Sequence, residues 1–193
     1  NDLVPESASI GAINFDFPGI ESQPFLNNAS AVDTWVFSEA QGVAPAGTAE
    51  VWFLLLNVNF SGTESPIWFD NAQASLVTGE PGLENGDFET GDFTGWTVAA
   101  GDNVVGAPGV GAQSGSSAAQ FTVPGAGGVA EIRQVFAANP GDEVNLSVWM
   151  LTEAARAEGP VGLAKIVFKD ADGNDLVPES ASIGAINFDF PGI

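Results

Sequence analysis

An identical internal repeat constrains this chain more than any other feature. The segment NDLVPESASIGAINFDFPGI occupies residues 1–20 and recurs unchanged at residues 174–193, an offset of 173 residues (174 minus 1). Self-similarity at a fixed period is typical of proteins built as arrays of similar units. The chain therefore carries two segments for one structural position. Either one segment is spare within the chain, or it fills that position in a neighbouring copy.

The repeated segment itself alternates between apolar and polar residues, which predicts a strand at Ser9–Phe17. An alternating strand of this kind can pair with a sheet edge in its own chain or in a neighbour, as in donor-strand complementation. The residues predicted to mediate assembly are the apolar ones of the two copies: Ile13, Phe15, Phe17, Ile186, Phe188 and Phe190.

The composition favours short strands over helices. Apolar residues make up 45% of the 193 residues, and 24 Gly and 12 Pro supply many turns. Ala49–Asn59 is apolar on both faces, which predicts a central strand covered on both sides or one whose outer face meets a partner. Further strands are predicted at Gly128–Phe136 and Val161–Lys169, and Gly101–Ser117 is predicted to be a loop region rich in Gly, Ser and Ala. In all, about ten strands separated by turn signals predict an all-β fold with little or no helix, a jelly-roll β-sandwich of two antiparallel sheets.

The charge and the missing residue types exclude several classes of function. The chain has 25 acidic residues against 4 basic ones, a net charge of −21, so nucleic acid and anionic membranes are poor partners. Cys and His are absent, which excludes disulfides, Ser-His-Asp triads and ordinary zinc sites. No carboxylate spacing marks a glycosidase pair, so we expect no enzyme. The acidity leaves three interpretations open: solubility in salty surroundings, binding of divalent cations, or plain surface solvation.

Three stretches of the chain share a pattern with one known family. Residues 83–98, LENGDFETGDFTGWTV, resemble the opening motif N-G-x-F-E-x-G-x-F-x-G-W of the jelly-roll carbohydrate-binding modules attached to bacterial glycoside hydrolases and surface proteins. Gln134–Trp149 resembles the middle motif of that family, with Val144 where an aromatic residue is usual. Trp68–Leu76 resembles its closing strand, W/Y-F-D-D/N-V-x-L.

The order of these stretches departs from the family, because the closing strand precedes the opening motif. We therefore interpret residues 1–77 as the C-terminal part of one module and residues 78–82 as a linker. Residues 83–193 are interpreted as the N-terminal part of the next module, or of the same module in circularly permuted order. The repeated segment marks the seam where the two parts join.

The resemblance implies a structural calcium ion. In the family, the Glu of the opening motif and the Asp of the closing strand meet at this ion with help from turn carbonyls, which implies Glu89, Asp70 and Gly86 here. Ca²⁺ prefers six to eight oxygen ligands, so paired carboxylates beside carbonyls suit it. The alternative is that both acids are solvated turn residues. Asp170–Asn174 begins like an EF-hand loop, but its Gly is fourth rather than sixth, so we expect a hairpin turn there.

The resemblance also implies a sugar site on the concave sheet. Trp149 and Trp52 lie on strands where the family places concave-face residues, and Gln134 is a third candidate. Flat aromatic rings stack on pyranose surfaces, while amides bind the hydroxyl groups. The alternative is that these side chains belong to the core or to an interface, as we expect for Trp96.

Two hypotheses follow. The first is a non-catalytic repeat unit of an extracellular bacterial fibre, surface layer or long adhesin, which assembles with copies of itself through shared or swapped strands and is stabilised by calcium. The second is a carbohydrate-binding module that holds a polysaccharide on its concave sheet. Both place the protein outside the cell or at the cell surface, without membrane insertion. The visible repeat favours the first hypothesis.

Overall fold

The structure, a computed structural model, describes residues 19–60, 64, 66–76, 82–123, 125–156 and 161–176. The strands within these residues are β1 (Ile20–Glu21), β2 (Val36–Val43), β3 (Glu50–Asn59), β4 (Ile67–Leu76), β5 (Thr97–Ala100), β6 (Asp102–Gly106), β7 (Ala118–Thr122), β8 (Gly128–Ala137), β9 (Glu143–Leu151), β10 (Val161–Lys169) and β11 (Asp175–Leu176).

The eleven strands form two antiparallel sheets that pack as a β-sandwich, which confirms the predicted fold class. Sheet 1 has the order β1-β10-β3-β8-β5, and β11 also pairs with β10. Sheet 2 has the order β2-β9-β4-β7-β6. The described residues contain no helix, and therefore none that is long and apolar enough to cross a membrane.

Strand β3 shows how the apolar pattern builds sheet 1. Its inward side chains Val51, Phe53 and Leu55 are fully buried in the core between the sheets. Its outward side chains Leu54 and Leu56 are each only 8% exposed and belong to a second apolar cluster, which includes Val161, Leu163 and Val167 of β10. Of the two alternatives for this strand, the structure therefore shows a central strand that is buried on both faces.

Several predicted strands agree with the structure, and some do not. The predictions for β3, β8 and β10 agree within about one residue. The prediction of a loop over residues 101–117 was wrong in part, because Asp102–Gly106 forms β6 and pairs with β7. The predicted strand Ser9–Phe17 lies outside the described residues, as do all six predicted assembly residues.

The edge of β10 holds one end of each copy of the repeated segment. Ile20 of β1, the last residue of the first copy, pairs with Ile166. Leu176 of β11, the third residue of the second copy, pairs with Phe168. Both short strands run antiparallel to β10 and lie in line along the same edge. Only the position opposite Val167 separates the two pairings.

Candidate functional site

The opening motif forms a tightly bonded loop against the core. Phe88 is fully buried with a φ of 55°, and its ring stacks on Trp96 at a centroid distance of 5.8 Å. The indole Nε1 of Trp96 donates to the carbonyl of Asn85 at 3.1 Å. Trp96 is thus a core residue, as the sequence predicts. The loop that it anchors holds Gly86 and Glu89 beside β4.

Asp70 lies where β4 is distorted. The register of β4 against β9 shifts between Asp70 and Gln73, and Asn71 has a φ of 49°. This irregularity leaves the Asp70 carboxylate fully buried. Its Oδ1 accepts a hydrogen bond from the backbone N–H of Asn71 at 2.6 Å, and its Oδ2 accepts one from Ser114 at 3.0 Å. Burial nevertheless raises the pKa of Asp70, and the charge of Glu89 adds to this effect.

Glu89 is held by the same loop that contacts Asp70. Its Oε1 accepts hydrogen bonds from the backbone N–H groups of Ser116 at 2.8 Å and Ser117 at 2.7 Å. Its Oε2 accepts one from the hydroxyl of Ser116 at 3.0 Å. Hydrogen bonding by Ser116 and Ser117 lowers the pKa of Glu89. The segment Ser114–Ser117 therefore bridges the two carboxylates that the sequence predicts to share a site.

Two glycines allow close approaches around this acid pair, Gly86 to the backbone of β4 and Gly115 to Glu89. The carbonyl oxygen of Gly86 accepts a hydrogen bond from the backbone N–H of Ala72 at 2.7 Å, and a Cβ at Gly86 would lie 1.9 Å from the carbonyl oxygen of Ala72. A Cβ at Gly115, where φ is 62°, would lie 2.4 Å from the Glu89 carboxyl carbon. Gly86 needs to be glycine, because backbone atoms already fill the space that a side chain would require. At Gly115 the positive φ favours glycine, and a side chain there would displace the Glu89 carboxylate.

The charge balance of this acid pair is compatible with a bound cation. Neither Asp70 nor Glu89 takes part in an ion pair among the described residues, whose three ion pairs involve other acids. A buried carboxylate beside a second carboxylate is unfavourable without a compensating charge. Within the described residues no group of three or more acidic side chains is placed to hold a metal ion, so carbonyls and water would supply most ligands of a calcium ion. The oxygen-only donor set suits Ca²⁺.

The second acidic loop is a hairpin turn between β10 and β11, in agreement with the sequence prediction. Asp170 Oδ1 accepts hydrogen bonds from the backbone N–H groups of Asp172 at 2.9 Å and Asn174 at 2.8 Å. The amide of Asn174 donates to Oδ2 at 2.9 Å. Hydrogen bonding by Asn174 lowers the pKa of Asp170. Both carboxylate oxygens therefore cap the turn.

The three residues predicted to bind sugar do not converge. Trp52 faces outward from sheet 1, where Arg133 and Lys169 lie 4.4 Å and 4.6 Å from its ring centroid and Glu50 accepts its indole N–H. Gln134 is buried, and its amide donates to and accepts from the backbone of Glu84 at 2.7 Å and 3.1 Å. These two side chains are engaged within the protein.

Trp149 lies on sheet 2, on the opposite side of the sandwich from Trp52. It packs on the exposed Phe37 with ring centroids 5.3 Å apart. A shallow groove of about 260 Å³ begins at Phe37 and crosses β2, β9 and β4. Its polar lining residues are Glu39, Gln41, Gln73, Ser75, Asn145 and Ser147. An aromatic platform beside amides and hydroxyls is the chemistry that sugar binding requires.

Sequence reasoning missed Ser114–Ser117 and Phe37. The former lies in a Gly/Ser-rich stretch without periodicity, although clustered Gly and Ser residues favour backbone contacts to anions. Phe37 shares with Trp149 a place on the outer face of sheet 2, and this becomes visible only when β2 is paired with β9.

The fold and these contacts define an all-β sandwich with a polar groove and an acid pair, in which Asp70 is buried and Glu89 is exposed. Comparison with protein-family models, with curated proteins and with solved structures found no match to this chain.

Proposed function

We propose that the chain is a non-catalytic repeat unit of an extracellular bacterial fibre, surface layer or long adhesin. The observation that carries the proposal is the alignment of Leu176 and Ile20 along one edge of β10. One repeated segment would place its third residue opposite Phe168 and its last residue opposite Ile166, two positions apart on β10, or about 7 Å. Successive units would then share each copy of the segment as their joint.

Calcium would stabilise each unit at the acid pair. Asp70 and Glu89 would supply carboxylate oxygens, and Gly86 would supply a carbonyl oxygen. The ion would neutralise charge that burial makes costly and would fasten the closing strand to the opening loop. The remaining acidic surface would keep long arrays soluble.

A series of chains with one, two and three periods of 173 residues tests the proposal. We expect the enthalpy of thermal unfolding and the maximum dimension in small-angle scattering to increase by a constant amount with each period. Electron micrographs of the longest chain should show a uniform thread. Additional periods that add neither unfolding enthalpy nor length would contradict the proposal.

The groove on sheet 2 supports a second candidate function, the binding of a polysaccharide. Phe37 and Trp149 would stack on the sugar rings, and the amides of Gln41, Gln73 and Asn145 would bind hydroxyl groups. Affinity electrophoresis through gels containing soluble polysaccharides tests this candidate. We expect Trp149→Ala to abolish retention and the matched Trp52→Ala on the opposite sheet to preserve it. Equal migration of the unsubstituted chain with and without every polysaccharide would exclude it.

A further inference from the structure

Each of the two sheets is built from strands of both parts of the chain. We call residues 19–76 the N-terminal portion and residues 82–176 the C-terminal portion. In the described residues, β1 pairs with β10, β2 with β9, β3 with β10 and β8, and β4 with β9 and β7. Apart from one bridge between Gln23 and Glu39, the described residues of the N-terminal portion make no strand pairing with one another.

The C-terminal portion is equally incomplete without its complement. Its own described pairings are β10–β11, β5–β8 and β6–β7. Strand β3 separates β10 from β8, and β4 separates β9 from β7. Removal of the N-terminal portion would leave three separate strand pairs and an unpaired β9. Isolated strand pairs are at best marginally stable in water.

Buried polar contacts fix how the two portions fit together. Asn57 of the N-terminal portion accepts a hydrogen bond from the Arg156 guanidinium at 2.9 Å and donates one to the carbonyl of Phe121 at 3.0 Å. Ser22 accepts a hydrogen bond from the backbone N–H of Ala164 at 2.9 Å. Asn57, Arg156 and Ser22 are all buried. These contacts specify one register, because a shifted fit would leave buried polar groups without partners.

The contacts between the two portions do not determine the order in which the chain connects them. In the present chain residues 77–81 lead from the N-terminal portion into the C-terminal portion. The first copy of the repeated segment, residues 1–20, leads into the N-terminal portion, and the second copy, residues 174–193, begins at the end of the C-terminal portion. Because both segments meet the same edge of β10, a C-terminal portion can be completed by an N-terminal portion that lies before it or after it in sequence.

We propose that the N-terminal portion of one copy completes the sandwich of the C-terminal portion of a neighbouring copy. This inference rests on the proposed repeat-unit function and names the partner surface of that unit. The partner is a second copy of this chain, and the contacts are those seen within one chain. Such a contact is heterologous, because each copy donates one portion and receives another. It produces open chains of sandwiches when each copy receives its portion from the next copy, and a closed pair when two copies exchange portions. Neither arrangement needs a new interface.

Mixing two damaged full-length chains tests the exchange. Phe53→Asp with Leu55→Asp disables the N-terminal portion, and Ile132→Asp with Phe168→Asp disables the C-terminal portion. All four residues are fully buried. The free-energy cost of burying two unpaired carboxylates in either portion exceeds the free energy of unfolding of an ordinary domain. The chains are unfolded in urea, mixed in equal amounts and diluted together. We expect the near-ultraviolet circular dichroism to recover to half the amplitude of the unsubstituted chain, in a particle of two chains.

The matched control mixes two chains that are both damaged in the N-terminal portion. The first carries Phe53→Asp with Leu55→Asp, and the second carries Val51→Asp with Phe69→Asp. This mixture should recover no native signal, because neither chain offers an intact N-terminal portion. The same spectrum from the test mixture and the control mixture would overturn the exchange. A constant increase of length and unfolding enthalpy in the multi-period chains would then still support the repeat-unit function.

Discussion

The N-terminal portion and the C-terminal portion contribute to the sandwich in different ways. The N-terminal portion places β3 and β4 inside the two sheets, between strands of the other portion. The C-terminal portion supplies the flanking strands, three strand pairs of its own and the loop that binds both carboxylates. One portion behaves as an insert and the other as a divided frame. The difference teaches that the folding unit is defined by complementary strands rather than by a continuous stretch of sequence.

The largest expected effect comes from truncating a buried side chain at the centre of the insert, in β3. Phe53→Ala should lower the free energy of unfolding by about 3–5 kcal/mol, since it removes a fully buried ring. Tryptophan fluorescence and far-ultraviolet circular dichroism should follow one shared urea transition. The matched Phe37→Ala, at a ring that is 42% exposed, should cost about 0.5 kcal/mol or less. A second unfolding transition, from a C-terminal portion that stays folded in Phe53→Ala, would contradict the claim that the two portions fold together.

The acid pair joins the two portions, because Asp70 belongs to the insert and Glu89 to the frame. With calcium at 100 times its dissociation constant, the ion should add about 2.7 kcal/mol to stability. Asp70→Asn should abolish this gain, as measured by the calcium-dependent shift of the melting temperature. The control Asp172→Asn, in the β10–β11 turn, should preserve it. A full calcium shift in Asp70→Asn would exclude the acid pair as the binding site.

A smaller effect is expected within the frame alone. Gln134→Leu removes two hydrogen bonds to the Glu84 backbone and should cost about 1–2 kcal/mol. The calcium-dependent shift should remain, because Gln134 does not contact either carboxylate. Chemical denaturation with and without calcium measures both quantities. Loss of the calcium shift in this variant would show that the hydrogen bonds between Gln134 and Glu84 are needed to position the opening loop for binding.

The smallest effect is the pH dependence of the calcium-free protein. Asp70 has a raised pKa, so the native state binds the extra proton and the stability contributed by this group falls as pH rises above about 4. Glu89 has a lowered pKa, so its contribution has the opposite sign and is lost at acidic pH. Asp70→Asn should therefore remove part of the decline toward neutral pH. Urea midpoints measured from pH 4 to pH 7 in a calcium chelator test this sign.

The sequence predicted the strands better than the site. Val161–Lys169 and Glu50–Asn59 carry long apolar runs, so local pattern was enough to find β10 and β3. Periodicity assigns a side chain to one face of a strand but not to a particular sheet, which is why Trp52 and Trp149 were expected together. The two-residue strands β1 and β11 exist only because the edge of β10 receives them. No local pattern could have revealed that pairing.

A circular permutant tests the complementarity of the two portions most directly. The permuted chain would begin at Leu83, run to Ile193, continue directly with Glu21 and end at Val77. Residues 177–192 would then connect the position of Leu176 to that of Ile20 along β10, and a loop of this length is cheap to close. We predict a monomer with the circular dichroism spectrum of the present chain and a melting temperature within about 4 °C of it, or about 1 kcal/mol. A permutant without a cooperative unfolding transition would contradict the account.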